Sequence, residues 1–505
     1  MITFFSALAA LLLGYVFYGR FIAKFFGVNP AMETPAKRLA DGVDYQELPA
    51  WKVFLIQLLN IAGLGPIFGA VLGALYGPVA YLWIVLGCIF MGASHDFFSG
   101  FASLRNDGMS LPQLVGKYLG NGMQRFMIFF SAFLLLVVGI VFTNGPAGLL
   151  QFMVGNAAKE CFGEAALAWI PSFDFWAILI FVYYLLSTVL PIDKLIGKIY
   201  PLFCIALLFM VLGIGGNMVY KAFAGTLVLP ELSLDMLRNF HAAPEQNMIF
   251  PMLFIVISCG AISGFHATQS PMMARCLGNE KLARPIFYGA MIAEGVIALI
   301  WATAAIAYFG GPEGLNAAAQ AGKTPAIIVE TICRDWLGIA GAILAVLGVI
   351  VCPITSGDTA FRGIRLILAD TFAFPQHSLK NRLLLSLPIF ALAYLACKVD
   401  FSVIWQYLGI GNQMLATITL WTGAAFLVSR NKAHWIMSLP AAFLSAVCIA
   451  YFLLAPYKAG GLAIGNAPLG HAIGIIGAFI LLALFLIKTR RSAGNCSLEK
   501  KSDGE

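Results

Sequence analysis

Long apolar runs alternate with short polar breaks from one end of the chain to the other. A helix of roughly 20 apolar residues crosses about 30 Å of hydrocarbon. On that measure the sequence predicts thirteen membrane-spanning helices, near residues 2–19, 53–76, 78–104, 123–145, 174–191, 196–220, 248–271, 284–309, 338–368, 381–397, 402–428, 434–455 and 470–488. The longest polar pieces, about 20–52 and 221–247, are too short for a core of their own. The expected class is an all-α polytopic membrane protein forming one transmembrane unit.

Two runs break their own pattern. The second contains "NIAGLGPIFG", which places Asn60, Gly63, Gly65 and Pro66 within seven residues. The seventh contains "FIVISCGAISGFHATQSP", where Gly260, Gly264 and Pro271 dilute the helix around Ser258, Ser263 and His266. Proline removes a backbone donor and glycine weakens a helix. In hydrocarbon an unpaired backbone group costs several kcal/mol, so a broken helix persists only inside protein or beside a cavity. Five spans separate the starts of these segments, and an odd separation inverts the second copy relative to the first. Paired broken segments in inverted halves point to the binding site of a secondary transporter. Gly69, Gly73 and Gly77 continue the four-residue spacing from Gly65, and for them close packing of a continuing helix is the simpler reading.

Composition sharpens the class. Of the 505 residues 60% are hydrophobic and 11% charged, where a soluble domain is nearer a quarter charged. The net charge of +7 records orientation rather than nucleic-acid binding. With the N-terminus outside, 24 of the 31 Lys and Arg fall on the cytoplasmic side and 7 on the other. The first run, "MITFFSALAALLLGYVFYGR", has its positive charges, Arg20 and Lys24, after the apolar stretch, and so reads as a retained span. The ten cysteines show no CxxC pair and read as small buried hydrophobes. The polar end, "KTRRSAGNCSLEKKSDGE", reads as a disordered cytoplasmic tail.

Ionisable and amide residues inside spans are costly and tend to face water or a partner. Glu294 sits near the centre of its span with no cation within a turn, which suits a proton-coupling group. The alternative is a carboxyl hydrogen-bonded to a neighbouring helix. "CPITSGDTAFRGIR" puts Thr355, Ser356, Asp358, Thr359 and Arg362 on the ninth span. There the first four suit a cation or proton site and Arg362 a carboxylate or a gate, unless Asp358 and Arg362 simply pair along the helix. His95 and Asp96, in "GASHDFFSG", lie near the cytoplasmic end of the third span as gating or charge-pairing candidates. "LGIGNQMLA" adds Asn412 and Gln413 as substrate contacts or interhelical amides. Walker A, HExxH and Gly-x-Ser-x-Gly motifs are absent, so no catalytic residue, metal or cofactor is expected and uphill transport must draw on an ion gradient.

The segments "NIAGLGPIFGAVLGALYGPVAYLWIVLGCIFMGASHDFFSG", "SCGAISGFHATQS", "ITSGDTAFRGIR" and "LGIGNQMLA" together resemble the carbon starvation protein A family, of which this chain looks like a shorter member. The resemblance implies an inner-membrane importer of peptides, or of pyruvate in a related branch. It also implies the fold of amino-acid/polyamine/organocation transporters, a five-plus-five inverted repeat with two broken helices. Residues 1–20 would then be an extra N-terminal helix, 53–220 and 248–428 the repeats, 434–488 two peripheral helices and 489–505 the tail. A cation in that fold sits between the first broken helix and the eighth core helix, here Gly63 to Pro66 and Thr355 to Thr359. The expected partners are a small carboxylate-bearing substrate, a proton or sodium ion, and membrane lipid. A channel or a solute-sensing transceptor is the alternative from another class.

Overall fold

A computed structural model describes residues 1–502 apart from Val43, 165–170, 190–191 and His377. Among the described residues the fold is helical, with one isolated bridge, Leu48 to Leu277, in place of a sheet. By length and apolarity eight helices suffice to cross a membrane. They are α1 (Ile2–Phe26), α4 (Ala80–Leu104), α5 (Asn121–Gly155), α7 (Tyr200–Phe223), α10 (Glu280–Tyr308), α13 (Leu379–Ala396), α15 (Trp435–Leu454) and α16, whose apolar part is Ala467–Thr489. A ninth is a pair bent by 50°, α2 (Ala50–Ile61) and α3 (Gly65–Ala74).

The other four expected spans fail that criterion for separate reasons. The fifth is α6, Phe173–Val189, only 17 residues long. The seventh is broken into α8 (249–256) and α9 (Gly264–Ala274). The ninth begins at a non-helical Gly338 (φ 62°) inside α11 (Pro325–Ala345) and runs on as helix through a π-helical stretch, Val346–Val351, into α12 (Cys352–Thr371), whose polar face lowers its hydropathy. The eleventh is α14, Phe401–Ser429, carrying Gly409, Gly411, Asn412 and Gln413. Among the described residues nine of the thirteen expected spans therefore meet the criterion, counting the bent pair once, and helices that fall short of it occupy the other four. The expected disordered tail also differs, because α16 continues as helix from Ala467 to Ser502, a stretch ending in the good helix formers Leu, Glu and Lys; residues 503–505 lie outside the described residues.

The pairing of helices is specific. Gln57 lies beside Ser270, Gly65 against Cys259, Gly69 against Val256 and Gly73 against Leu253 and Ile257. As one number rises the other falls, so α2–α3 runs antiparallel to α8–α9. The same relation joins α4 to α10 (Gly92 with Met291, Gly100 with Phe287), α5 to α12 (Gly139 with Phe361, Phe142 with Gly357) and α6 to α13 (Asp174 with Tyr394, Tyr184 with Phe390). Each is five expected spans from its partner, the relation an inverted repeat requires. Burial ranks the helices: 89% of the apolar window of α10 is buried, against 17% for α13 and α16. Helix α10 is a core element, while α13 and α16 present apolar side chains outward, where lipid would cover them.

Candidate functional site

The first break follows from Gly63 to Pro66. Helix α2 ends at Ile61, residues 62–64 are bent and unwound, and Pro66 enters the first turn of α3, where its missing N–H breaks no ladder. Among the described residues the buried N–H groups of Gly63, Leu64 and Gly65 have no acceptor. Facing them is the hydroxyl-rich stretch of α12. Ser356 Oγ donates to Leu59 O at 3.2 Å, and Thr359 Oγ1 lies 2.9 Å from Asn60 Oδ1. A Cβ on Gly63 would stand 3.2 Å from Ser356 Oγ. The structure thus brings Asn60 and Gly63 together with Thr359 and Ser356, while Gly65 and Pro66 face Cys259 and Gly260, and Thr355 donates to Cys352 O and accepts from Tyr200 on its own carbonyl.

In the second break α8 stops at Val256 and α9 starts at Gly264. Gly260 holds the bend at φ 91°, the left-handed region that favours glycine. Its Cα side abuts Ala298 and Pro66, so the two unwound segments touch. Ser258 and Ser263 are buried in this segment. The amides of α14 splint the gap: Asn412 Oδ1 accepts from Phe265 N–H at 3.1 Å, and Gln413 Nε2 donates to Phe254 O at 2.7 Å. Both side chains therefore make the interhelical contact that was the alternative to touching substrate.

Four ionisable residues from three separate stretches of the chain, the neighbours His95 and Asp96 with His266 and Glu294, meet beside this break. His266 Nδ1 is 3.0 Å from Asp96 Oδ2, His95 Nδ1 is 2.8 Å from Asp96 Oδ1, and His266 Nε2 is 3.6 Å from Glu294 Oε2. Glu294 Oε1 accepts from Gly260 N–H at 2.9 Å. All four side chains are fully buried. Among the described residues no three His, Cys, Asp or Glu are placed to hold a metal ion, so the cluster is a hydrogen-bonded one.

Asp358 points elsewhere. Its Oδ2 accepts from Ser187 at 2.6 Å and from Tyr200 at 2.8 Å, and no ion pair among the described residues joins it to Arg362. Arg362 donates to Ser187 O at 3.3 Å and its Nε has no partner. The i,i+4 pairing along α12 is thereby replaced by contacts to α6 and α7. Ser187 and Tyr200 carry no sequence signal, being single polar groups in apolar runs. Gly77 also departs from expectation: it closes the chain after α3 at φ 85°, packed on Phe240, instead of lying in a continuing helix.

A crevice reaches this region from the side richer in Lys and Arg. Its inner part is lined by Asn60, Thr359, Arg362, Met272 and Arg275. Arg275 and Leu366 also line two neighbouring pockets, one with Thr268 and Asp370, the other with Asp370, Asp44, Tyr45, Asp107 and Gln376.

A sequence profile described as carbon starvation protein CstA matches residues 1–150, 148–339 and 326–450. A Haemophilus influenzae protein described as an uncharacterised membrane protein is 44% identical over 361 residues, covering 64% of this chain and 95% of its own length. The peptide transporter CstA of Escherichia coli is 26% identical over 551 residues, covering 86% of this chain and 78% of its own. The pyruvate/proton symporter BtsT of the same organism is 28% identical over 350 residues, 59% of this chain and 48% of its own. Among solved structures the nucleobase-cation-symport-1 family transporter Mhp1, closed with bromovinylhydantoin bound, aligns with TM-score 0.52 and 13% identity, over 92% of this chain and 96% of the other. That likeness concerns the fold.

Proposed function

The chain belongs to the carbon starvation protein CstA family, and we propose that it is a secondary-active importer of small carboxylate-bearing nutrients, short peptides first, coupled to protons and serving growth under carbon starvation. The observation that carries this reading is the meeting of two antiparallel broken helices, with the buried N–H groups of Gly63, Leu64 and Gly65 unpaired among the described residues and Gly63 beside Ser356 of α12. Free N–H groups at a half-helix N-terminus suit a carboxylate. Asn60, Gly63, Gly65, Pro66, Ser258, Gly260, Ser263, Gly264 and His266 surround the substrate in this reading. Thr355, Ser356 and Thr359 offer oxygens to a cation, and Asp358 sets the position of α12 through Ser187 and Tyr200. Residues 53–220 and 248–428 are the two repeats, in a bacterial inner membrane with the N-terminus outside and the tail cytoplasmic.

Pyruvate is the second substrate reading, supported by the similarity to a pyruvate/proton symporter. The test is counterflow in proteoliposomes with labelled dipeptides and labelled pyruvate, followed by imposed proton or sodium gradients. The expected result is accumulation of one class of solute above equilibrium under a proton gradient. Uptake that never passes equilibrium under either gradient overturns the reading in favour of a channel or a sensor.

A further inference from the structure

Two carboxylates and two imidazoles share one fully buried cluster, and among the described residues no Lys or Arg pairs with any of them. The groups that face it are His95, Asp96 and Cys88 from α4, Cys259 from the unwound segment, His266 from α9 and Glu294 from α10. Isolated charge is expensive in such a setting. With both thiols neutral, two ionised carboxylates are balanced only when the four groups together hold two protons. The composition of the cluster suits it to hold exchangeable protons, and among the described residues three of its atoms, His95 Nε2, His266 Nε2 and Glu294 Oε2, have no hydrogen-bond partner. One edge of the cluster is mechanical. Glu294 Oε1 holds Gly260 N–H at 2.9 Å, and Gly260 abuts Pro66 of the first break.

We propose that His95, Asp96, His266 and Glu294 form the proton-binding site that drives transport, and that Glu294 passes the proton's effect to both broken helices through Gly260. The inference rests on the proton-coupled reading above and goes beyond it by naming the site and its lever. In the transfer step His266, as imidazolium, gives its Nε2 proton to Glu294 Oε2 and keeps its Nδ1–H on Asp96. Glu294 becomes neutral and His266 becomes neutral, so the total proton count and charge are unchanged. The bond from Gly260 N–H then loses its charge assistance, and a neutral acceptor holds an N–H about half as strongly. Residues 257–263 are freed to move, and with them the surface they share with Pro66. Release of that proton from Glu294 to the opposite side of the membrane, and uptake of a new one by His266, return both groups to their starting states for the next cycle.

The test uses the full chain in proteoliposomes with a trapped pH dye, and compares wild type with Glu294→Gln and His266→Gln. Counterflow of unlabelled against labelled substrate needs no net proton movement, whereas accumulation under a proton gradient does. The expected result is that Glu294→Gln keeps counterflow within about twofold of wild type but loses gradient-driven accumulation and substrate-linked proton entry. His266→Gln is expected to lose the same two signals. Accumulation by Glu294→Gln above half the wild-type level overturns the assignment. So does loss of counterflow in both variants, which makes the cluster structural. Wild-type accumulation driven by sodium and not by protons instead overturns the underlying proton reading, before any variant is compared.

Discussion

A Cβ placed on Gly65 lands 2.2 Å from the Cβ of Cys259, at the point where the two broken segments cross. Gly65→Ala is therefore expected to destabilise the protein by about 1–3 kcal/mol, the usual cost of overpacking. The change should appear as a lower melting temperature in detergent, and Gly65→Ala with Cys259→Gly should recover most of the loss. An unchanged melting temperature in the single variant would mean that the two segments do not touch there. Asn412 gives a second residue-scale expectation. Removing its Oδ1 leaves Phe265 N–H buried without an acceptor, a cost of about 1–3 kcal/mol. Asn412→Ala should lower the melting temperature, whereas Asn412→Asp, which keeps the oxygen, should lower it less. At this scale residue types were informative in the sequence while their partners were not. Glu294, His266 and Asp96 stand out individually as polar groups in apolar runs, but nothing in their spacing says that one ring bridges both carboxylates.

At the scale of elements, the breaks were legible because they are local events. Gly63, Gly65 and Pro66 lack either a side chain or a donor, and Gly260 sits at a backbone angle that other residues resist. Their meeting is a non-local event. It predicts that cysteines replacing Gln57 and Ser270, whose side chains touch at 3.3 Å, will cross-link under mild oxidation in a background without the native cysteines. A cysteine at Gln57 paired with one at Leu253, at the far end of the same interface, should not. Equal cross-linking of both pairs would contradict the antiparallel register of α2–α3 and α8–α9. The ninth expected span shows the opposite limit. Its apolar run reads as one regular helix, yet the helix widens to π geometry at Val346–Val351 ahead of the polar face of α12.

For the molecule as a whole, the pocket lined by Asn60, Thr359 and Arg362 shares Arg275, Leu366 and Asp44 with a pocket formed by the loops of Asp107 and Gln376. These loops lie on the side richer in Lys and Arg, which the charge bias assigns to the cytoplasm. A cysteine replacing Met272 should therefore react with a membrane-impermeant thiol reagent in inside-out vesicles and be at least several-fold slower in right-side-out ones. The reverse preference would overturn the proposed orientation. The sequence by itself determined that the chain is a polytopic helical membrane protein with two broken segments at an odd separation. Hydrophobic length, glycine, proline and charge bias act within a span or between neighbouring ones, and so they can be read along the chain. Only the tertiary structure decided that α6 and α7 supply Ser187 and Tyr200 to Asp358 in place of Arg362. It also decided that α14 splints the second break, and that His95, Asp96, His266 and Glu294 close into one cluster on Gly260. Those contacts depend on how each helix is rotated about its own axis, and packing against three or four neighbours sets that angle rather than any local preference.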